Sequence, residues 1–367
     1  MNQMTHAEAV AECYRLTPQL EEYDEFMYLG VRWLPYTMFF HHKNYVSKVI
    51  NTDDLGFRKG LGPRGETVSV ANFDNSKPIN LVVGGSTAMG TGTTTDADTV
   101  ASRLSQLTGE TWLNFGARGY NAPQELIMFL MHQHRFPKIN NVVVLSGLNT
   151  LTLEGLPDEL ATEHGRYYYS YEFQHYMNAY NEDLKKRANS YASAAVGDNR
   201  SFFGKMKDAF EEWLDSENHS EVILSDESVS IEDRVVRAAK VTTDALTQWK
   251  LLLAKTNTKL TFVLQPLSTW TKDKFHDDEQ RMFDAIDGCA NNFWRLFEKL
   301  CTPELHKRYA DLITDTCQSN QIKFADMNEL LKSTSVINEN IYIDHLHFND
   351  LGYREVARLI ADNVLDK

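Results

Sequence analysis

Two short stretches near opposite ends of the chain hold side chains that could do covalent chemistry together. "LVVGGSTAMGTG", from Leu81 to Gly92, places Ser86 directly after an apolar run. "IYIDHLHFND" carries Asp344 and His347, separated by two residues. A serine hydroxyl is a weak nucleophile until a base takes its proton and a third group orients that base. In a turn, this spacing brings a carboxylate beside the imidazole of the same loop, where it fixes the tautomer and stabilises the imidazolium that forms. Taken alone, a serine after a strand is far more often a helix cap than a nucleophile.

The glycines of the first stretch also invite a phosphate-binding reading, which the details oppose. A Walker loop needs a lysine after its glycines, and the first basic residue downstream is Arg103. Gly85, Gly90 and Gly92 do not have dinucleotide-fingerprint spacing. His345 competes with His347 for a role. At i, i+2 the two would share one face of a strand, and with Asp344 they could suit a metal. No further His, Asp or Glu cluster supports that site, so neither a metal nor a cofactor is expected.

Acyl transfer through a serine also needs donors aimed where negative charge develops. The backbone N–H of Ser86 is one. "NFGARGYN" (114–121) offers the N–H of Gly119, which has no side chain in the way. "SGLNT" (146–150) offers the side-chain amide of Asn149. Gly119 and Asn149 also read as ordinary turn residues. Gln265 and Pro266 end a strand at the same edge; Gln265 and His345 are taken as substrate-binding.

Regular elements must deliver these loops. Strands are expected at 79–85, 111–116, 141–147, 259–266 and 322–327, and helices at 97–109, 122–135, about 277–318 and 349–365. Strands that are apolar on both faces and alternate with helices predict a doubly wound parallel α/β sheet. Ligands bind such sheets at the carboxyl ends of the strands, where all four loops fall. Residues 1–78, an amphipathic helix followed by aromatic and turn-rich sequence, are expected to pack on the core as an extension. Residues 151–258 are expected as a helical insertion, a possible lid. It holds a Tyr-rich segment, which could offer an aromatic wall to a sugar ring, and an acidic one with no Lys or Arg from Glu211 to Asp233.

In order along the chain, "GGSTAMGTG", "NFGARGYN", "SGLNT" and "DHLH" resemble the four blocks of the SGNH (GDSL-like) hydrolase family. The resemblance covers roughly 79–150 and 259–365. It implies a flavodoxin-like three-layer sandwich with a five-stranded sheet, with Ser86, Asp344 and His347 as the catalytic triad. Ser86, Gly119 and Asn149 would form the oxyanion hole. It further implies ester hydrolysis through an acyl-enzyme, on an acetyl or other acyl ester and plausibly on a carbohydrate. Gly85-Ser86-Thr87 departs from the Gly-Asp-Ser-Leu form, and Thr150 stands where an acidic residue often follows the Asn. The variants of the first two blocks are similar to family members associated with bacterial polysaccharide and glycoconjugate modification. An O-acyltransferase using the same residues and a non-catalytic glycan-binding protein are the alternatives.

Bulk properties narrow the class. The chain has 367 residues and a net charge of -14, without a Lys/Arg cluster, which speaks against a nucleic-acid surface. The first residues show neither a basic n-region nor an apolar h-region, so no secretory signal is expected. No apolar run approaches membrane-spanning length. Cys13, Cys289, Cys301 and Cys317 form no CxxC pair and read as free thiols in a reducing compartment, so a cytoplasmic location is expected. The partner expected is a small-molecule or glycan acyl ester; the oligomeric state is left open.

Overall fold

Apolar runs that end in glycine or polar turns become the strands of one sheet. The structure is a computed structural model that describes residues 5–28, 32–156, 166–168, 180–183, 185, 229–288 and 297–366. Helices α1 (His6–Leu16) and α2 (Leu20–Tyr28) precede two short antiparallel pairs. These are β1 (Arg32–Leu34) with β2 (Met38–Phe40), and β3 (Gly60–Leu61) with β4 (Thr67–Val68). Then come β5 (Ile79–Gly84), α3 (Ser86–Met89), α4 (Val100–Thr108), β6 (Thr111–Gly116), α5 (Ala122–His132), β7 (Ile139–Ser146) and α6 (Leu148–Leu153). The second half holds α7 (Ile231–Leu253), β8 (Lys259–Leu264), α8 (Ser268–Thr271), α9 (Asp277–Asp287), α10 (Pro303–Ser319), β9 (Lys323–Asp326), α11 (Met327–Lys332) and α12 (Asp350–Leu359).

The sheet is five-stranded and parallel throughout, in the order β6-β5-β7-β8-β9. That is the flavodoxin-like order, whose switch point lies between β5 and β7. Alternate residues of each strand feed two cores. Leu81, Val83, Val142, Val144, Phe262 and Leu264 face one layer, with Leu126 of α5, Trp249 of α7 and Ile313 of α10. Val82, Val143, Leu145 and Val263 face the other, with Leu104 of α4, Phe283 of α9, Leu331 of α11 and Val356 of α12. The protein is therefore a three-layer α/β sandwich.

Residues 32–78 enter the first of these cores rather than resting on it. Phe39, Phe40 and Phe57 belong to the same buried cluster as the strands. The buried Arg58 donates to the carbonyls of Val49 and Gly90, to Tyr23 and Thr93, and to the Asp96 carboxylate at 2.8 Å. A guanidinium with five donors in a fixed fork can satisfy partners on several sides at once.

The 151–258 segment differs from the single insertion expected. Its last part is α7, with Val235, Ala238, Leu246 and Trp249 buried against the sheet. Their three-to-four-residue spacing makes an apolar stripe, and the parallel β7–β8 connection needs a covering crossover helix. Ser230 caps this helix by accepting from the Asp233 N–H. The lid expectation rests mostly on residues outside those described, as do most of the Tyr-rich and acidic segments. Cys289 also lies outside them, while Cys13, Cys301 and Cys317 are buried. No described helix is long and apolar enough to cross a membrane.

Candidate active site

The turn after β5 presents Ser86 at the first position of α3, half-buried at the carboxyl edge of the sheet. Gly85 precedes it for a reason of space. A Cβ there would stand 2.5 Å from Nδ2 of Asn149, closer than atoms can approach. With glycine, the Asn149 amide lies directly against the backbone beside Ser86.

The loop before α12 brings the base. Tyr342 and Phe348 form an isolated antiparallel bridge, and the Ile343 N–H donates to the His347 carbonyl at 3.0 Å. Within this closed turn, Oδ1 of Asp344 accepts the backbone N–H groups of Leu346 (2.7 Å) and His347 (2.6 Å). That is the local self-capping for which aspartate is favoured in turns. Its other oxygen, Oδ2, lies 2.7 Å from Nδ1 of His347, and Nε2 of His347 lies 2.7 Å from Oγ of Ser86. Burial would raise the Asp344 carboxyl, but the facing His347 and the hydrogen bonds from His347 and Leu346 hold it below its ordinary value. An ionised Asp344 accepts a hydrogen bond from the Nδ1–H of His347, which leaves Nε2 as the acceptor for the Ser86 hydroxyl.

Two further loops surround the serine. The Ala117 N–H donates to the Gly84 carbonyl, and the turn it opens carries Gly119 at φ +74°, half exposed. Among the described residues no acceptor takes the N–H of Ser86 or of Gly119. Asn149, in α6 after β7, donates one amide hydrogen to the Tyr120 carbonyl at 2.7 Å, which leaves its second hydrogen available. Gly147, the residue before α6, accepts the Tyr309 hydroxyl at 2.8 Å.

Two residues expected to bind substrate are placed otherwise. Gln265 is buried, with 3% of its surface exposed, and its amide donates to Oγ1 of Thr87 at 2.7 Å. Thr87 in turn donates to the Leu346 carbonyl at 3.3 Å, the peptide that carries His347. His345 is buried too; its ring stacks on Phe283 at 4.2 Å and its Nδ1 faces Oγ of Ser268 at 3.2 Å. Because 344–347 form a turn and not a strand, His345 and His347 do not share a face. Thr87 had no signal in the sequence beyond its place next to Ser86. Among the described residues, the one cluster able to hold a metal is His306, Asp326 and Glu329, at the carboxyl end of the outer strand β9 and three strands from β5.

Glu125 is buried behind the site. It accepts the Ser146 hydroxyl at 2.6 Å through Oε1, while Oε2 has no partner among the described residues. Burial pushes its carboxyl up to about 8, only partly opposed by the Ser146 hydrogen bond. At neutral pH it is mostly the uncharged acid.

A doubly wound sheet with an Asp–His–Ser hydrogen-bonded chain at its switch point has the parts of a nucleophilic-serine enzyme. Several solved structures are similar to this chain at low identity. The acetyl xylan esterase AlAXEase is 11% identical, with 78% of this chain and all of that one covered, at a TM-score of 0.39. The native aryl esterase of M. smegmatis is 12% identical over 78% of this chain and 98% of that one, at 0.40. Est24, a carbohydrate acetylesterase from Sinorhizobium meliloti, is 10% identical over 78% and 98%, at 0.38. No protein-family model and no curated protein matches the chain. At these scores, what the site does rests on its own geometry.

Proposed function

We propose that the protein is a serine esterase of the SGNH (GDSL-like) kind. The observation that carries this is the unbroken chain from Asp344 through His347 to Ser86, with both links at 2.7 Å. His347 takes the Ser86 proton as Oγ attacks an ester carbonyl. The oxyanion that forms meets the N–H groups of Ser86 and Gly119 and the free amide hydrogen of Asn149. His347 then protonates the departing alcohol, and water resolves the acyl-enzyme by the same base. Asp344 keeps the imidazole in register and stabilises its charged form.

The substrate proposed is a short acyl ester of a small molecule or carbohydrate; the sugar half of this rests on the sequence blocks. Residues 79–367 make up the hydrolase unit in this reading, with 1–78 built into its core. The buried free thiols Cys301 and Cys317 support a reducing, cytoplasmic setting.

A fluorophosphonate probe followed by peptide mass spectrometry tests the assignment. It should label Ser86, and Ser86→Ala should lose both labelling and p-nitrophenyl acetate turnover. A folded Ser86→Ala protein with undiminished esterase activity would refute it.

A further inference from the structure

Tyr168 belongs to the Tyr-rich segment, yet it is held at the site by both loops that flank the serine. Its hydroxyl pairs with Oγ1 of Thr152 at 2.9 Å, and the Thr152 hydroxyl also donates to the Asn149 carbonyl at 3.1 Å. Two residues earlier, the Arg166 carbonyl accepts the side chain of Asn121 at 2.8 Å, in the loop that carries Gly119. Arg166 is further paired with the buried Glu154 at 3.1 Å, just after α6. The ring stands against Gly119: a Cβ on that glycine would lie 3.5 Å from Cδ2 of Tyr168 and 3.3 Å from Cζ of Phe39. Tyr168 is half-buried, and its ring also meets Phe297 edge-on with centroids 6.1 Å apart.

The geometry of acyl transfer decides what that ring meets. The tetrahedral carbon carries Ser86 Oγ, an oxyanion, the leaving oxygen and the acyl remainder. The oxyanion points to Gly119 and Asn149. The leaving oxygen must receive its proton from Nε2 of His347, so the alcohol lies on that side. The acyl remainder takes the direction left, away from His347. Tyr342 and Phe348, which close the His347 loop, pack on the second face of the sheet, while Leu346 within it reaches the first. Tyr168 lies across the edge, beside Phe39 and next to Tyr167 of the first core.

We propose that Tyr168 is the wall of the acyl pocket and limits the protein to short acyl groups of about acetyl size. This rests on the esterase reading. An aromatic ring locked by Thr152 cannot swing aside, so each added methylene must displace it or stay in water.

The test compares kcat/KM on p-nitrophenyl acetate, butyrate and hexanoate for the full-length protein and for Tyr168→Ala, Tyr168→Leu and Tyr168→Phe. Fluorophosphonate labelling of Ser86 is read in parallel. The wild type should prefer acetate. Tyr168→Ala should raise the hexanoate-to-acetate ratio by roughly tenfold or more, the scale that a methylene or two commands in an apolar pocket. Tyr168→Leu should raise it less, and Tyr168→Phe, which keeps the ring but loses its bond to Thr152, should fall between wild type and Tyr168→Ala. Variants that label at Ser86 and turn over acetate with an unchanged ratio would overturn the acyl-wall assignment and leave the esterase intact. A wild type that neither labels nor hydrolyses any of the esters would overturn both.

Discussion

Replacing Thr87 by valine separates positioning from bulk folding. The side chain is wholly buried and its shape survives the change, so only the hydroxyl is lost. That hydroxyl accepts from Gln265 at 2.7 Å and donates to Leu346 at 3.3 Å. Both partners are left short of a bond in a dry site, which costs about 1–3 kcal/mol of stability. The functional effect is of another kind. The link runs from the residue after the nucleophile to the peptide before the base, so its loss loosens the Ser86–His347 distance. A misplacement near 1 Å costs on the order of a hundredfold in rate. Thr87→Val should therefore lower kcat about 10- to 100-fold, or about 1.4–2.7 kcal/mol of barrier. KM should change little, because Thr87 does not meet substrate. Thr87→Ser, which restores the hydroxyl, should recover most of kcat. Steady-state kinetics on p-nitrophenyl acetate, with urea unfolding of each variant, reads both effects. A Thr87→Val protein with a lowered urea midpoint but unchanged kcat would show that the bond serves folding alone, and the argument would fail.

Asn149→Ala removes one of the three donors proposed above for the oxyanion and should cut kcat by about a hundredfold or more with the urea midpoint nearly kept. Comparable losses in kcat and in midpoint would instead mark Asn149 as a prop for the Tyr120 turn. Glu125 makes stability fall with pH. Its folded value is about 8 against an ordinary 4.5. Below 4.5 both states hold the proton; between the two values only the folded state does, so unfolding releases a proton and stability drops as pH rises. Glu125→Gln should therefore match wild type near pH 4 and exceed it by several kcal/mol at pH 8.5 in urea unfolding. A difference that does not vary with pH would contradict this.

The strands and their loops were legible because double-sided apolar runs ending in Gly or polar turns admit few structures. The first three chemistry-bearing blocks were legible for a related reason, since each sits where a strand stops; the fourth lies in the turn before α12 and was legible from its Asp-x-x-His spacing alone. Side-chain direction was not. Gln265 and His345 ended up buried because tertiary partners, Thr87 for one and Phe283 with Ser268 for the other, captured them. Such pairings join residues far apart in sequence and leave no local trace. The α7 helix could have been found: its apolar stripe and its Ser230 cap are both local signals. Tyr168 was half legible, since tyrosine enrichment hinted at a wall without saying which ring forms it.

The loop from Gly90 to Asp96 is where residues from both halves of the sequence converge. Gln19, Tyr23 and Arg58 bind it from one side, at Gly92, Gly90 and Asp96. Tyr353 and Asp350 bind it from the other, at Thr91 and Thr94. The second set of contacts joins residues 256 and 262 positions apart in the sequence. Closing separations of that size costs chain entropy before any contact rewards it. The Ser86–His347 pair, itself 261 positions apart, therefore depends on non-local closure and not on either loop alone.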